Sequence, residues 1–301
     1  MAYLYVATLL IFFTVATMLR KRHPKSQSPV PISVNYHLTR KCNYECGFCF
    51  HTAKTSYILT LEEAKRGLAI LQQTGMKKLN FAGGEPNVVP EVRWGIGEVQ
   101  QNRDRARIGV HRDKWKPVSC DSFDEATNVK IGRGTGSHLE KFKQLRLLCQ
   151  EYGIKFKVNT VVNRYNFAED MRTSIEAIAP FRWKCFQVLV VKGENDSGAT
   201  LRDATRFVIS DDEFQQFCNK HSNCSGFVAE PNNLMKDSYL ILDEYMRFLD
   251  KGNDPSLSIL EVGVEQALQS VYWDEESFRH RGGIYDWTKA PREASAKLLD
   301  W

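Results

Sequence analysis

The sequence predicts an α/β protein built on parallel strands, and two observations carry that reading. From residue 32 onward, short apolar strand patterns alternate with helix patterns, the arrangement of parallel strands joined by crossover helices. The cysteine-rich segment Cys42–Cys49 and the glycine turn Gly83-Gly84-Glu85-Pro86 each come after a predicted strand. Both therefore fall at the carboxyl edge, where sheets of this class bind ligands.

The elements run in order from the N-terminus. Residues 3–19, YLYVATLLIFFTVATML, form an uncharged apolar run that ends in the basic stretch Arg20 to Lys25. Seventeen apolar residues reach the lower limit for crossing a bilayer. The basic flank lies on the wrong side for a cleaved signal peptide and keeps the chain beyond residue 20 in the cytosol. Residues 1–21 are thus expected to be a membrane anchor, and residues 22–31, with three prolines, a linker. Residues 32–38 read as a strand. Thr60 and Glu63 read as a capping box opening a helix that Gly75 closes. Residues 78–81 read as a second strand. Residues 138–152 read as a helix stopped by Gly153, 154–162 as a strand, 167–179 as a helix and 183–191 as a strand. Ser210 with Glu213 caps a further helix. Residues 87–117 break this rhythm: they are basic, hold only a weak strand over 106–110, and read as a solvated connection.

Of 301 residues, 43% are hydrophobic and 26% charged, an ordinary globular balance that leaves room for one large domain and a small appendage. The net charge of +5 sits partly in the basic flank, so it is no argument for nucleic acid. Eight cysteines are too few for a disulfide framework over this length. Three cluster, and Cys120, Cys149, Cys185, Cys218 and Cys224 are scattered, which points to a reducing compartment with one metal site.

That triplet is Cys42, Cys46 and Cys49, spaced C-x3-C-x2-C, with Phe48 before the last cysteine. Three thiolates can hold three irons of a four-iron cluster and leave one iron open for a ligand. A zinc site would need a fourth ligand such as His37 or His51. A redox pair on Cys46 and Cys49 would leave Cys42 without a role. At Gly83 and Gly84 the backbone can approach a ligand closely, although such a turn is alone a weak signal. Lys78, Arg133, Lys157, Arg182 and Lys184 sit at strand ends or in adjacent loops. Singly each is a surface charge; gathered at one mouth they suit a polyanion such as a nucleoside triphosphate. Lys155 and Lys157 share a strand face. Tyr239 either donates a proton or packs in the core.

The triplet with its aromatic, succeeded by Gly-Gly-Glu-Pro, resembles the radical S-adenosylmethionine superfamily. The stretches SVNYHLTRKCNYECGFCFHTAKTS (33–56), SCDSFDEATNVKIGRGTG (119–136), MKDSYLILDEYMRFLD (235–250) and the ending Leu299-Asp300-Trp301 narrow the resemblance to the viperin family of antiviral nucleotide dehydratases. It implies a partial (β/α) barrel over residues 32–230 and a C-terminal extension, 231–301, that closes a nucleotide site. It implies a four-iron cluster on Cys42, Cys46 and Cys49, with S-adenosylmethionine against Phe48, Gly83, Gly84 and Glu85. The family's substrate contacts fall on Asn35, Lys78, Arg133, Lys157, Asn159, Arg182 and Lys184, and its late proton or hydrogen donor on Tyr239. The implied reaction dehydrates CTP to 3′-deoxy-3′,4′-didehydro-CTP. Trp301 matches a tail that recruits the cytosolic iron–sulfur assembly machinery.

Two departures stand out. The family's anchor is an amphipathic helix on the endoplasmic reticulum and lipid droplets, whereas residues 3–19 are more uniformly apolar and imply deeper insertion. Between Pro86 and Ser119 the family has a longer stretch with a Ser-Asn-Gly turn against S-adenosylmethionine; this chain lacks that turn. They raise a rival expectation, a membrane-tethered iron–sulfur interaction protein with impaired catalysis.

Overall fold

The computed structural model describes residues 30–52, 54, 57–84, 115–280 and 283. The apolar run, most of the linker, Glu85 and Pro86, residues 87–114 and Trp301 lie outside the described residues, and so do the expectations placed on them. Among the described residues no helix is long and apolar enough to cross a membrane.

Among the described residues, seven strands are interspersed with helices: β1 (Ser33–His37), α1 (Leu61–Gln73), β2 (Lys78–Ala82), β3 (Trp115–Ser119), α2 (Glu125–Ile131), α3 (His138–Glu151), β4 (Lys155–Val162), α4 (Arg172–Ile178), β5 (Arg182–Gln187), α5 (Asp211–His221), β6 (Phe227–Glu230), α6 (Asn232–Met235), β7 (Ile241–Leu242), α7 (Ile259–Gln269) and α8 (Glu275–His280). They form two parallel sheets, ordered β2-β1-β7 and β3-β4-β5-β6. The α/β class with parallel strands is therefore as the sequence indicates.

Local chemistry explains where most elements begin and end. The Thr60 hydroxyl accepts from the Glu63 amide and caps α1, and Gly75 lies just past the helix at φ 104°. The expected capping box is half formed there, because the Glu63 carboxylate takes the Thr60 hydroxyl rather than its backbone N–H. At α5 the box is complete, with Ser210 and Glu213 each accepting the other's amide. The helix expected over 167–179 shortens to Arg172–Ile178. Asn163 and Asn166 accept backbone amides from Tyr165 (3.0 Å) and Asn163 (2.7 Å) and hold this segment in turns. The strand expected to reach 191 ends at Gln187. Beyond it the Asn195 amide group accepts from Val191 N–H and donates to the Leu189 carbonyl, replacing ladder bonds. Strand β3, helix α2 and the elements from β6 onward have no counterpart in the sequence reading, because each is too short for periodicity to register or lies in unsignalled sequence.

Each sheet buries one face. Behind β3–β6 lie Phe142, Phe156, Val158, Trp183 and Phe217; behind β1 lie Tyr36, Leu71, Leu242, Met246 and Phe248. Strand β4 alternates strictly, with Phe156, Val158, Thr160 and Val162 buried and Lys155, Lys157, Asn159 and Val161 on the other face. The two lysines do share a face, but Lys155, at the start of the strand, sits 4.7 Å over the Phe181 ring. Asp121, fully buried just after β3, ties three segments together. Its carboxylate accepts from Arg133 Nη2 (2.7 Å) and Nε (2.8 Å) after α2, and from the Val161 amide (2.9 Å) in β4. Removing one partner of such a pair strands the other's charge in the core. Asp121→Asn is expected to destabilise the fold by roughly 3–5 kcal/mol, read by denaturant unfolding.

Candidate active site

The inward faces of both sheets meet around a cavity of ≈ 760 Å³. Parallel pairing sets its wall. On one side Asn35 lies opposite Asn80, and Ser33 opposite Lys78; on the other Lys157 lies beside Arg182, and Asn159 beside Lys184. Because side chains alternate with a period of two, the set Asn35, Lys78, Lys157, Asn159, Arg182 and Lys184 projects into one space. Tyr239, from the loop before β7, completes the wall. Phe48, Cys49, Gly83 and Gly84 also line the cavity. Glu85 lies outside the described residues.

The cationic wall is crowded. Burial first, and then the charges of Lys184, Lys78 and Arg182, push the Lys157 ammonium well below its ordinary pKa, with Glu230 opposing. An anion in the cavity would offset the repulsion among these cations. Lys184 donates to the Glu230 carboxylate and, at 3.1 Å, to the Tyr239 hydroxyl, which in turn reaches Glu230 Oε1 at 3.2 Å. Asn80 donates to Asn35 Oδ1 at 2.9 Å and orients it.

The cysteine loop rests on backbone. Glu45 and Gly47 donate their amides to the carbonyls of Gly132 (3.0 Å) and Ile131 (2.9 Å), and the Phe48 carbonyl accepts from Asn195 (2.8 Å). Gly132 has φ 86°, and a Cβ there would lie 2.3 Å from the Glu45 carbonyl oxygen. Gly84 has φ 39°, and a Cβ there would lie 2.1 Å from the Lys41 carbonyl oxygen. The glycine turn is thus pressed onto the chain entering the cysteine loop, and the two motifs form one structural unit.

Cys42 is exposed, Cys46 buried and Cys49 half-buried, and all eight cysteines are free. Burial pushes the Cys46 thiol up to about 12 and also raises Cys49, while the Arg133 guanidinium eases both. A metal binding here must displace these protons. Among the described residues no three His, Cys, Asp or Glu side chains converge on a single metal ion. Three free thiols on one loop fit a four-iron cluster, which takes one thiolate per iron and needs no single point of convergence. His37 and His51 stack edge to face at 4.3 Å, and burial holds both neutral, pushing His37 down to about 3.

Of the expected site residues that the structure describes, all line the cavity except Cys42, Cys46 and Arg133. Cys42 and Cys46 lie on the loop that brings Phe48 and Cys49 to the wall. The Arg133 side chain is ion-paired with Asp121 and lies 5.5 Å over the Tyr44 ring, beside the cysteine loop and away from the cavity wall. The sequence reading missed Asn80, Gln187 and Glu230. Asn80 carried a signal, since it lies two residues beyond Lys78 on the same strand face. Also missed was the Arg40 hub, which donates to Glu244 (2.9 Å) and Glu194 (3.2 Å) and ties the loop's entry to two later segments.

Similar solved structures share the fold. The protein of a structure titled Streptococcus suis SuiB bound to S-adenosylmethionine superposes with a TM-score of 0.59 at 12% identity, covering 84% of this chain and 68% of that one. The anSMEcpe protein with bound AdoMet superposes at 0.58 and 13%, covering 83% of each chain. The chain shares its fold with these two proteins. A scan against protein-family models finds no match. Curated relatives are more specific. Those named S-adenosylmethionine-dependent nucleotide dehydratase RSAD2 are 49% identical in Oncorhynchus mykiss, covering 87% of this chain and 82% of the relative, and 47% identical in Danio rerio, covering 95% and 85%. A nucleotide dehydratase of Flammeovirga pacifica is 33% identical, covering 85% and 96%. The chain belongs to the S-adenosylmethionine-dependent nucleotide dehydratases, the viperin family.

Gly132→Ala is expected to lift the cysteine loop from its backbone seat, since both the contact and the positive φ exclude a side chain. The expected readout is faster labelling of buried Cys46 by a thiol reagent in the metal-free protein, identified by peptide mapping, with the fold retained by circular dichroism.

Proposed function

We propose that this chain is a radical S-adenosylmethionine lyase that dehydrates CTP to 3′-deoxy-3′,4′-didehydro-CTP in antiviral defence. The observation that carries the reading is the shared cavity: the cysteine loop and glycine turn on one side, and Lys78, Lys157, Arg182 and Lys184 on the other. In this reading the two sheets are arcs of a partial (β/α) barrel, and residues 231–301 close its nucleotide end.

Cys42, Cys46 and Cys49 would hold the four-iron cluster, and Phe48, Gly83, Gly84 and Glu85 would receive S-adenosylmethionine. The bound cluster and S-adenosylmethionine together supply a 5′-deoxyadenosyl radical able to remove hydrogen from the ribose 4′ carbon. The chain's own residues bind and orient the nucleotide. Asn35 and Asn159 offer amide groups for base and ribose, Lys78, Lys157 and Arg182 neutralise phosphate, Lys184 lies among the nucleotide contacts, and Tyr239 offers a proton as the 3′ oxygen leaves. Arg133, held by Asp121, places positive charge beside the cysteines rather than on the nucleotide. Residues 1–21 would hold the enzyme on the endoplasmic reticulum or lipid droplets with its catalytic domain in the cytosol, and Trp301 would recruit the iron–sulfur assembly machinery.

The cation wall and Tyr239 favour this enzyme over a tethered interaction protein, which has no use for them. Reconstituted protein with dithionite and S-adenosylmethionine is expected to release 5′-deoxyadenosine only when CTP is added. A normal cluster spectrum with no cleavage would overturn the reading.

The depressed Lys157 ammonium makes binding pH-dependent. A triphosphate raises its pKa, so binding takes up a proton, and affinity falls as pH rises through the window between the free and bound values. Calorimetry in buffers of different ionisation enthalpy is expected to show proton uptake on CTP binding in the pH range below the ordinary lysine pKa. Lys157→Met is expected to abolish that uptake and weaken binding about 10- to 100-fold, the worth of one charge-assisted contact.

A further inference from the structure

Glu230 is assigned no part in the reaction so far. It ends β6, lies opposite Phe186 of β5, and its side chain is 5% exposed. It does not itself line the cavity, but both groups it binds do. The Lys184 ammonium donates to Glu230 and to the Tyr239 oxygen, and the Tyr239 hydroxyl donates to Glu230. The ammonium also lies 5.6 Å from the Phe186 ring centroid and 5.7 Å from that of Tyr239, so its direction is set by aromatic walls as well. A carboxylate beside a cavity for a polyanion repels the substrate, and a site selected for affinity alone would not carry it.

We propose that Glu230 is a positioning residue that holds Lys184 and Tyr239 as one proton-delivering unit for the ribose, and that Lys78, Lys157 and Arg182 form the triphosphate seat without Lys184. The inference rests on the proposed dehydratase reading and deepens it. The Lys184–Glu230 pair carries no net charge to offer phosphate. Its ammonium instead faces the Tyr239 oxygen at 3.1 Å. As the C3′–O bond of the ribose radical breaks with its electron pair going to oxygen, the Tyr239 hydroxyl gives that oxygen a proton and water leaves. One electron from the external reductant that also serves the cluster then completes the ring double bond, the phenolate takes a proton from Lys184, and the neutral amine recovers its proton from solvent. Glu230 keeps both partners within hydrogen-bond reach throughout.

The test uses the full reconstituted chain, with CTP binding by calorimetry and the yield of 5′-deoxyadenosine per dehydrated nucleotide. Glu230→Gln removes a repulsive charge and is expected to bind CTP as tightly as the parent or a few-fold tighter. It is expected to go on releasing 5′-deoxyadenosine while dehydrated product falls by about 100-fold, the worth of a positioned acid. Tyr239→Phe should do the same, and the double variant should be no worse than Tyr239→Phe alone. Lys184→Met should leave the preference for CTP over CMP intact, whereas Lys157→Met should erode it. A purely structural Glu230 would lose binding and turnover together. The proposal is overturned by normal product yield in Glu230→Gln, by additive losses in the double variant, or by loss of triphosphate preference in Lys184→Met. Should Glu230→Gln not fold, the Lys184 and Lys157 variants still decide. Absence of CTP-dependent 5′-deoxyadenosine in the parent would sink the dehydratase reading separately, and the binding comparison would stand.

Discussion

The site depends on two backbone contacts that tolerate no side chain. The cysteine loop lies against the carbonyls of Ile131 and Gly132, and the Gly83-Gly84 turn lies against the carbonyls of Thr39 and Lys41. Hydrogen bonds between main-chain atoms locate the loop to within tenths of an ångström, and buried main-chain groups are costly to leave unpaired. A cofactor that must meet sulfur on one side and backbone on the other needs that precision. The Asp121–Arg133 pair supports the arrangement from below, since Arg133 comes directly after Gly132 and Asp121 just after β3.

Electrostatics complete what the backbone begins. Four cations share a cavity wall with Glu230 beside them, and the burial that depresses Lys157 also strengthens any attraction to a bound anion. Near the cysteines the same physics runs the other way: burial keeps the Cys46 and Cys49 thiols protonated, and the fixed charge of Arg133 lowers the cost of ionising them. One cavity thus presents soft, ionisable donors at one end and hard cations at the other.

Much of this was legible in the chain. The C-x3-C-x2-C spacing, the paired glycines and the position of each motif after a strand needed only local rules. The alternation in β4 marked Lys155 and Lys157 as facing the same way. The sequence by itself determined the chemistry available: three thiols, a backbone seat, cations at strand ends and a tyrosine downstream. Only the tertiary structure decided how the charges were spent. Arg133 and Lys184 look alike as strand-end cations, yet one is held by Asp121 away from the cavity and the other is bound to Glu230 within it. The Lys184–Glu230 pair joins residues 46 apart through strand order and register, whereas Arg133 folds back onto Asp121 across the helix between them. Ionic partners chosen in this way leave no periodic trace in the sequence.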